Sequence, residues 1–494
     1  MIATMKSGPT RPPGPMARAA IALLAALFVP IIVGQLEHSK SYWLLAVFGV
    51  LALLSRRNMK QPLFALAFAL PFLQFGSTRE MYMITPGLEV CLLAFFLLWF
   101  AWALQGRAAL PDAGLVDGSV LLFLAVATSS ALAASTARVW TEGATLSDFR
   151  LDAIVFRNPP LALLFPLRQL FIFLEAFLLF GFVRANLTRD DVETLALTLL
   201  GSAVVVMGLG ALFFVVADNS RYFQGVNRAM SVFSGPNQFG TYLLLILPLA
   251  VGVALTARSR MTRGVAIVSA VGGAVMLYLS RSEGALLGAL IAPLLYAVFF
   301  RPAKTRWART SRLLIGAAMV GVACLGGFLL ATWSPEQLNT TSDGRYFLFR
   351  AALNMLQHSP LFGVGLGNFF QDLGGFYPHG ISGRVAHEQA HNMFLQVFAE
   401  LGPLGLVAFA LPLGLLLVRA ARAPDLSPLG QALVVGILAA LVHSLTDYTL
   451  WISSLALFFW MYVGALAVML DAPGEREPRH EPSLAPTCEP VMPR

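Results

Sequence analysis

Charge is what this chain has least of. Asp, Glu, Lys and Arg make up 12% of its 494 residues, while 57% are hydrophobic, and mean hydropathy is +0.73. No soluble fold of that length hides so much apolar surface, so a soluble enzyme or a disordered chain is excluded and a polytopic membrane protein is required. Cysteine is nearly absent. Cys91 and Cys324 fall in apolar runs and Cys488 in the C-terminal tail, which argues against a disulfide framework or a cysteine metal site. Ionisable residues are also missing from the middles of the apolar runs, where the coupling sites of transporters lie; only Glu89 and Glu175 come near. No internal repeat is visible. The net charge of +8 calls for no nucleic acid, because membrane proteins carry excess Lys and Arg in their cytoplasmic loops.

What remains is a series of apolar runs long enough to span a bilayer, for which about 20 residues are needed. Runs near 18–36, 41–55, 61–76, 87–105, 116–134, 161–183, 192–217, 237–257, 264–280, 283–300, 312–331, 391–418, 429–447 and 449–470 give fourteen spans, or twelve if the short second and third form a re-entrant pair. The expected fold is therefore all-α, with 12–14 transmembrane helices. Lys6, Arg11 and Arg18 before the first run imitate a signal peptide, but the continuing series predicts an uncleaved first helix. Basic residues at Arg56/Arg57/Lys60, Arg107, Arg184/Arg189, Arg258/Arg260/Arg263 and Arg419/Arg422 alternate along the chain so as to place both termini in the cytoplasm. The chain then divides into N-terminal spans (1–217), central spans (218–330), a large outward loop (331–390), C-terminal spans (391–470) and a Pro-, Glu- and Arg-rich tail (471–494) expected to be disordered. Within the loop, Tyr346, Phe349, Leu353 and Leu356 share one face of a helix predicted near 344–358.

Several arginines lie on the wrong side for the orientation rule. Arg281 occupies a short outer turn, Arg221 and Arg228 precede Ser234-Gly-Pro-Asn237, and Arg345 follows Asp343-Gly344. An ion pair of Arg281 with Glu283 is one reading; an anion site is the other, since a guanidinium fork matches phosphate oxygens. Of the seven histidines, His358 reads as a helix end and His379 as a loop residue. His443 and Asp447, four residues apart, read as a helix-stabilising pair or as a means of orienting a neighbouring residue, with the structural reading favoured. His387-Glu-Gln-Ala-His391 is a literal H-E-x-x-H, which binds zinc when both histidines share a helix face and a third ligand follows. No third ligand is visible. A histidine near its ordinary pKa is also a good general base, and His387 and His391 are the strong candidates.

His391-Asn392, nine residues and then Gly402-Pro-Leu-Gly405 resemble the H-[NSQ]-x9-G-x-x-[GTY] signature of the O-antigen ligase family. Gly344-Arg345 with Ser359-Pro-Leu-Phe-Gly-Val-Gly-Leu-Gly-Asn368, Ser280-Arg-Ser-Glu-Gly-Ala285, and Arg228 to Asn237 resemble further elements of that family, over about residues 220–450. The resemblance implies a GT-C-like, inverting, metal-independent glycosyltransferase without cofactor, in a bacterial inner membrane with its active site in the periplasm. Its donor would be a glycan on undecaprenyl diphosphate and its acceptor lipid A-core, or another glycan or a protein in the polymerase and O-oligosaccharyltransferase branches. By that analogy His391 would be the base, Arg228 and Arg281 would contact the diphosphate, and Arg345 is a further contact; Arg221 joins them as an outer-loop candidate. His387 and Glu388 lie outside the signature. The rival readings are a membrane zinc protease, a transporter and a structural envelope partner.

Overall fold

The computed structural model describes residues 13–39, 43–73, 86–111, 114–142, 165–300, 306–378, 388–423 and 425–471. Among them the chain is helical, with no strand. The helices are α1 (Pro15–Ser39), α2 (Trp43–Ser55), α3 (Lys60–Leu73), α4 (Pro86–Leu104), α5 (Leu115–Glu142), α6 (Phe165–Asn186), α7 (Arg189–Val216), α8 (Pro236–Thr256), α9 (Arg260–Ser280), α10 (Glu283–Phe299), α11 (Arg306–Thr332), α12 (Pro335–Thr341), α13 (Arg345–His358), α14 (Phe369–Phe376), α15 (Met393–Arg422), α16 (Pro428–His443) and α17 (Ser453–Leu470). Nine of the described helices are long and apolar enough to cross a membrane, and α2, α3, α10 and α16 are shorter apolar helices. With α11, each of the fourteen expected spans coincides with a helix. The protein is a multi-pass, all-helical membrane protein. His379, His387 and the tail from 472 onward lie outside the described residues.

Two helices show how the bundle is built. α17 is apolar all round, so it has no face to offer water, and Ser453 to Met469 are all buried. Aromatic rings from α6 and α15 close around it: Trp460 meets Phe177 edge-on at 4.4 Å, and Phe409 lies 6.4 Å from the same indole. α8 runs beside α9, α10, α16 and α17, and Tyr242 on it meets Phe458 of α17 at 5.2 Å.

Most charged residues lie toward the two ends; Glu175 in the middle of α6 and Glu400 in α15 are buried exceptions. At one end Lys60 pairs with Asp191 at 2.5 Å, Arg184 with Asp117, and Arg419 with Asp471 at 3.1 Å. At the other end the starts of α8, α10 and α15 meet the finishes of α9 and α16. Over that end lie α12, α13 and α14, with the helix predicted near 344–358 formed as α13. Arg138 of α5 holds α14, its guanidinium donating to Asp372 at 2.7 Å and to Asn368 at 3.0 Å.

Candidate active site

Arg228 is the most firmly fixed of the candidate arginines. Its Nε donates to the Ser280 carbonyl at 2.8 Å, and Nη2 donates to the Arg281 carbonyl at 3.0 Å and to Asn237 Oδ1 at 3.3 Å. Those carbonyls are available because α9 ends there: Arg281 has φ +50°, and the chain turns at once into α10. Nη1 makes no hydrogen bond among the described residues. Burial pulls the Arg228 pKa down and the charge of Arg345 adds to that; Glu283, Asp343 and Asp447 oppose it. A guanidinium remains charged through such a shift, so the site holds a half-buried, permanently positive fork with donors to spare. The Arg281 side chain is exposed and forms no ion pair with Glu283 among the described residues. The close passage of α10 over the end of α16 needs glycine at 284, where a Cβ would collide with Thr446 Oγ1 and the His443 ring.

His391 sits opposite, on a peptide that is not helical. Its φ is +46°, and α15 begins two residues later, capped by Asn392, whose Oδ1 accepts from Leu395 N at 3.0 Å. The Asn392 amide also donates to the Leu445 carbonyl at 2.9 Å, and Met393 N donates to the Ser444 carbonyl at 2.9 Å. These bonds dock the start of α15 on the turn after α16. His391 Nε2 lies 3.3 Å from Glu388 Oε2, its Nδ1 lies 3.8 Å from Asp447 Oδ1, and its ring stands edge-on to Tyr448 with centroids 5.3 Å apart. Burial pulls the His391 pKa down, but the Glu388 hydrogen bond and the charges of Asp447 and Glu388 outweigh it against Arg345, and the net direction is up. Asp447 ties the two halves together, since its Oδ2 accepts from Asn237 Nδ2 at 2.5 Å.

Asp447 is the residue that sequence reasoning misjudged. The i,i+4 pairing with His443 is not made, because α16 ends at His443 and Asp447 lies in the following turn. His443 instead meets Thr241 at 2.9 Å inside the bundle. The available signal was positional: an acid just past the end of a span that opens on the same side as Arg228 and His391. Glu388, which had no role, is a direct neighbour of His391. The H-E-x-x-H reading needs both histidines on one helix, and residues 388–392 form none.

Arg345 starts α13 after Asp343 (φ +53°) and Gly344 (φ +82°), and its charge acts on both Arg228 and His391. Arg221 stands apart, exposed over the Tyr222 ring at 4.8 Å, with no hydrogen bond or ion pair to this cluster among the described residues. Non-glycine residues in the left-handed region cost free energy and cluster at sites whose surroundings force them. Arg281, Asp343 and His391 are three such residues.

The family model described as O-antigen ligase matches residues 266–410. That stretch, less than a third of the chain, is similar to the O-antigen ligase family. It takes in Arg281, Arg345, Glu388, His391 and Gly402, while Arg228, Asn237 and Asp447 lie outside it and reach it through folding. No curated protein matches the chain. Within the matched stretch Gly402 is a backbone device. Gly402, at φ +68° and ψ −171°, breaks α15, and a Cβ there would run into the Leu361 carbonyl. The break frees the carbonyls of Ala399 and Glu400, which accept from Val364 N and Gly365 N, both at 2.9 Å. The Ser359–Asn368 loop and the Gly402 motif are thus two halves of one joint.

Between α8, α10 and α16 runs an apolar cavity of about 380 Å³, lined by Leu244, Val251, Ala289, Pro293, Tyr296 and Val435 among others. It begins roughly 10 Å along α8 from Asn237 at the ordinary helical rise.

Proposed function

We propose that the protein is a glycosyltransferase that moves a glycan from undecaprenyl diphosphate to an acceptor hydroxyl on the periplasmic face of a bacterial inner membrane, acting as an O-antigen ligase with lipid A-core as acceptor. The observation that carries this is the pairing of a fixed, half-buried guanidinium, Arg228, with a carboxylate-flanked histidine, His391, through Asn237 and Asp447. A diphosphate leaving group needs positive charge held in place; Arg228 supplies it without reorganisation during reaction, and Arg281 and Arg345 add charge beside it. His391 takes the acceptor O–H proton as the oxygen attacks the anomeric carbon. The bond from that carbon to the diphosphate oxygen breaks with inversion, and the electron pair leaves on undecaprenyl diphosphate. The proton goes to Nε2, where the acceptor hydroxyl takes the place of the Glu388 carboxylate; Asp447 faces Nδ1 at 3.8 Å and stabilises the imidazolium that forms. The apolar cavity beneath suits the polyprenyl chain.

The test is deletion of the gene followed by inspection of surface glycans and of the carrier pool. Carrier-linked polymer accumulating beside bare lipid A-core supports the ligase. Single repeats capped onto core would make the protein a polymerase instead, and unglycosylated exported proteins an oligosaccharyltransferase. Unchanged glycans in all three pools would overturn the reading. Activity lost with a chelator and restored by zinc would overturn its mechanism.

A further inference from the structure

The backbone at His391 is held in an unfavourable conformation by a segment that belongs to no helix. The support comes from two buried side chains one turn apart on α15. Gln396 is fully buried; its Oε1 accepts from Ala390 N at 2.8 Å, and its Nε2 donates to Gln389 Oε1 at 2.6 Å and to Glu400 Oε1 at 2.8 Å. Glu400 is 1% exposed, and its carboxylate also accepts from Gly367 N at 2.9 Å and Phe369 N at 3.2 Å. One carboxylate therefore receives three N–H groups from two places far apart in sequence: the glycine-rich loop and, through Gln396, the peptide immediately before His391.

A buried carboxylate is costly unless its hydrogen bonds are complete, so an apolar residue would fill the same volume at less cost if packing were all that mattered. What a carboxylate adds is direction. Its lone pairs fix the Gly367–Phe369 amides and the Gln396 amide at once, and Gln396 alone holds the Ala390 N–H next to the strained residue. We infer that Glu400, acting through Gln396, is a positioning residue for the base, a latch that keeps His391 between Glu388 and Asp447 and couples its placement to the loop that leads into α14. This deepens the glycosyltransferase reading and rests on His391 being its base.

The experiment uses the full-length protein in lipid nanodiscs, with Glu400→Gln, Gln396→Ala and, as a control, Asp372→Asn. The control loosens α14 from Arg138 on its other side without touching Gln396. Hydrogen exchange followed by mass spectrometry reads the latch itself. Glu400→Gln should speed exchange at 365–369 and at 389–390 together, Gln396→Ala chiefly at 389–390, and Asp372→Asn only around 368–376. Kinetics read the consequence. Both latch variants should lose about 10²-fold in kcat with the donor KM unchanged, and the acid limb of the pH profile should move to lower pH as His391 leaves its carboxylates. The control should keep kcat and the limb.

Unchanged exchange at 389–390 in both latch variants overturns the latch. Released exchange with kcat and the limb unmoved, or the same kinetic change in the control, overturns the positioning role. A folded His391→Ala variant that still transfers glycan would instead remove the base assignment, an outcome the exchange data distinguish from failure of the latch.

Discussion

At the scale of single residues, the site is a contest between burial and charge. Arg228 spends three of its five donors on fixed acceptors, and in the proposed reaction its worth lies in being placed before the diphosphate arrives. Arg228→Ala should lower transfer on the order of 10²-fold or more, read from product formation with purified donor and acceptor in nanodiscs; a loss below about threefold would count against the assignment. His391 has its pKa raised chiefly because Glu388 and Asp447 outweigh burial. As the proposed base, His391 works in its neutral form, so its raised pKa means that activity grows as pH climbs through a value above the ordinary one for imidazole. Glu388→Gln removes one of the stabilising charges, so the acid limb of kcat/KM should move to lower pH while the plateau activity stays close to wild type. Abolished activity at every pH would instead favour a hydrolytic role for Glu388. The pairing of His391 with Glu388 was out of reach of the sequence, because H-E-x-x-H suggests a helical face and the chain there is not helical.

Among the elements, α15 decides most. Its capped start, its break at Gly402 and the loop docked into that break place His391, Glu400 and the path to α13 relative to one another. The sequence showed the spacing from His391 to Gly402, but not that the glycine's job is to let the Leu361 carbonyl approach. Gly402 combines a positive φ with an extended ψ that only glycine adopts without strain, a cost of order 1–3 kcal/mol for other residues. The added methyl group would also displace the loop. Gly402→Ala should therefore lower thermal stability measurably in detergent, by about 2 kcal/mol, and reduce transfer through misplacement of His391. A variant with unchanged melting and unchanged turnover would show that the joint is not rigid. α13 was legible as a helix, but not its packed face: Leu348, Ala351, Ala352 and Met355 are buried, whereas Leu353 of the expected face is exposed. The end of α16 at His443 was not legible either, since nothing in the local pattern says that the helix stops before Asp447.

At the scale of the whole molecule, the bundle brings a charged end and an apolar cavity into line. If the polyprenyl chain occupies the space between α8, α10 and α16, then Ala289→Phe should raise KM several-fold for a full-length carrier and leave a short-chain analogue unaffected, as measured by initial rates with the two donors. Equal effects on both would place the lipid elsewhere. Hydrophobic runs, the near-absence of charge within them and the alternation of basic loops were enough for the sequence by itself to determine a multi-pass helical protein and the positions of its helices, because bilayer thickness and backbone hydrogen bonding leave a chain of that composition no other solution. Motif spacing pointed to His391, Arg228, Arg281 and Arg345 as candidates. Only the tertiary structure decided that Arg228, Asn237, Asp447, His391 and Glu388 form a single cluster, that His443 turns inward and that Arg221 stands apart. Those outcomes depend on which helix ends meet and on where two carbonyls and one carboxylate point, and contacts between residues tens or hundreds of positions apart leave no trace in local periodicity.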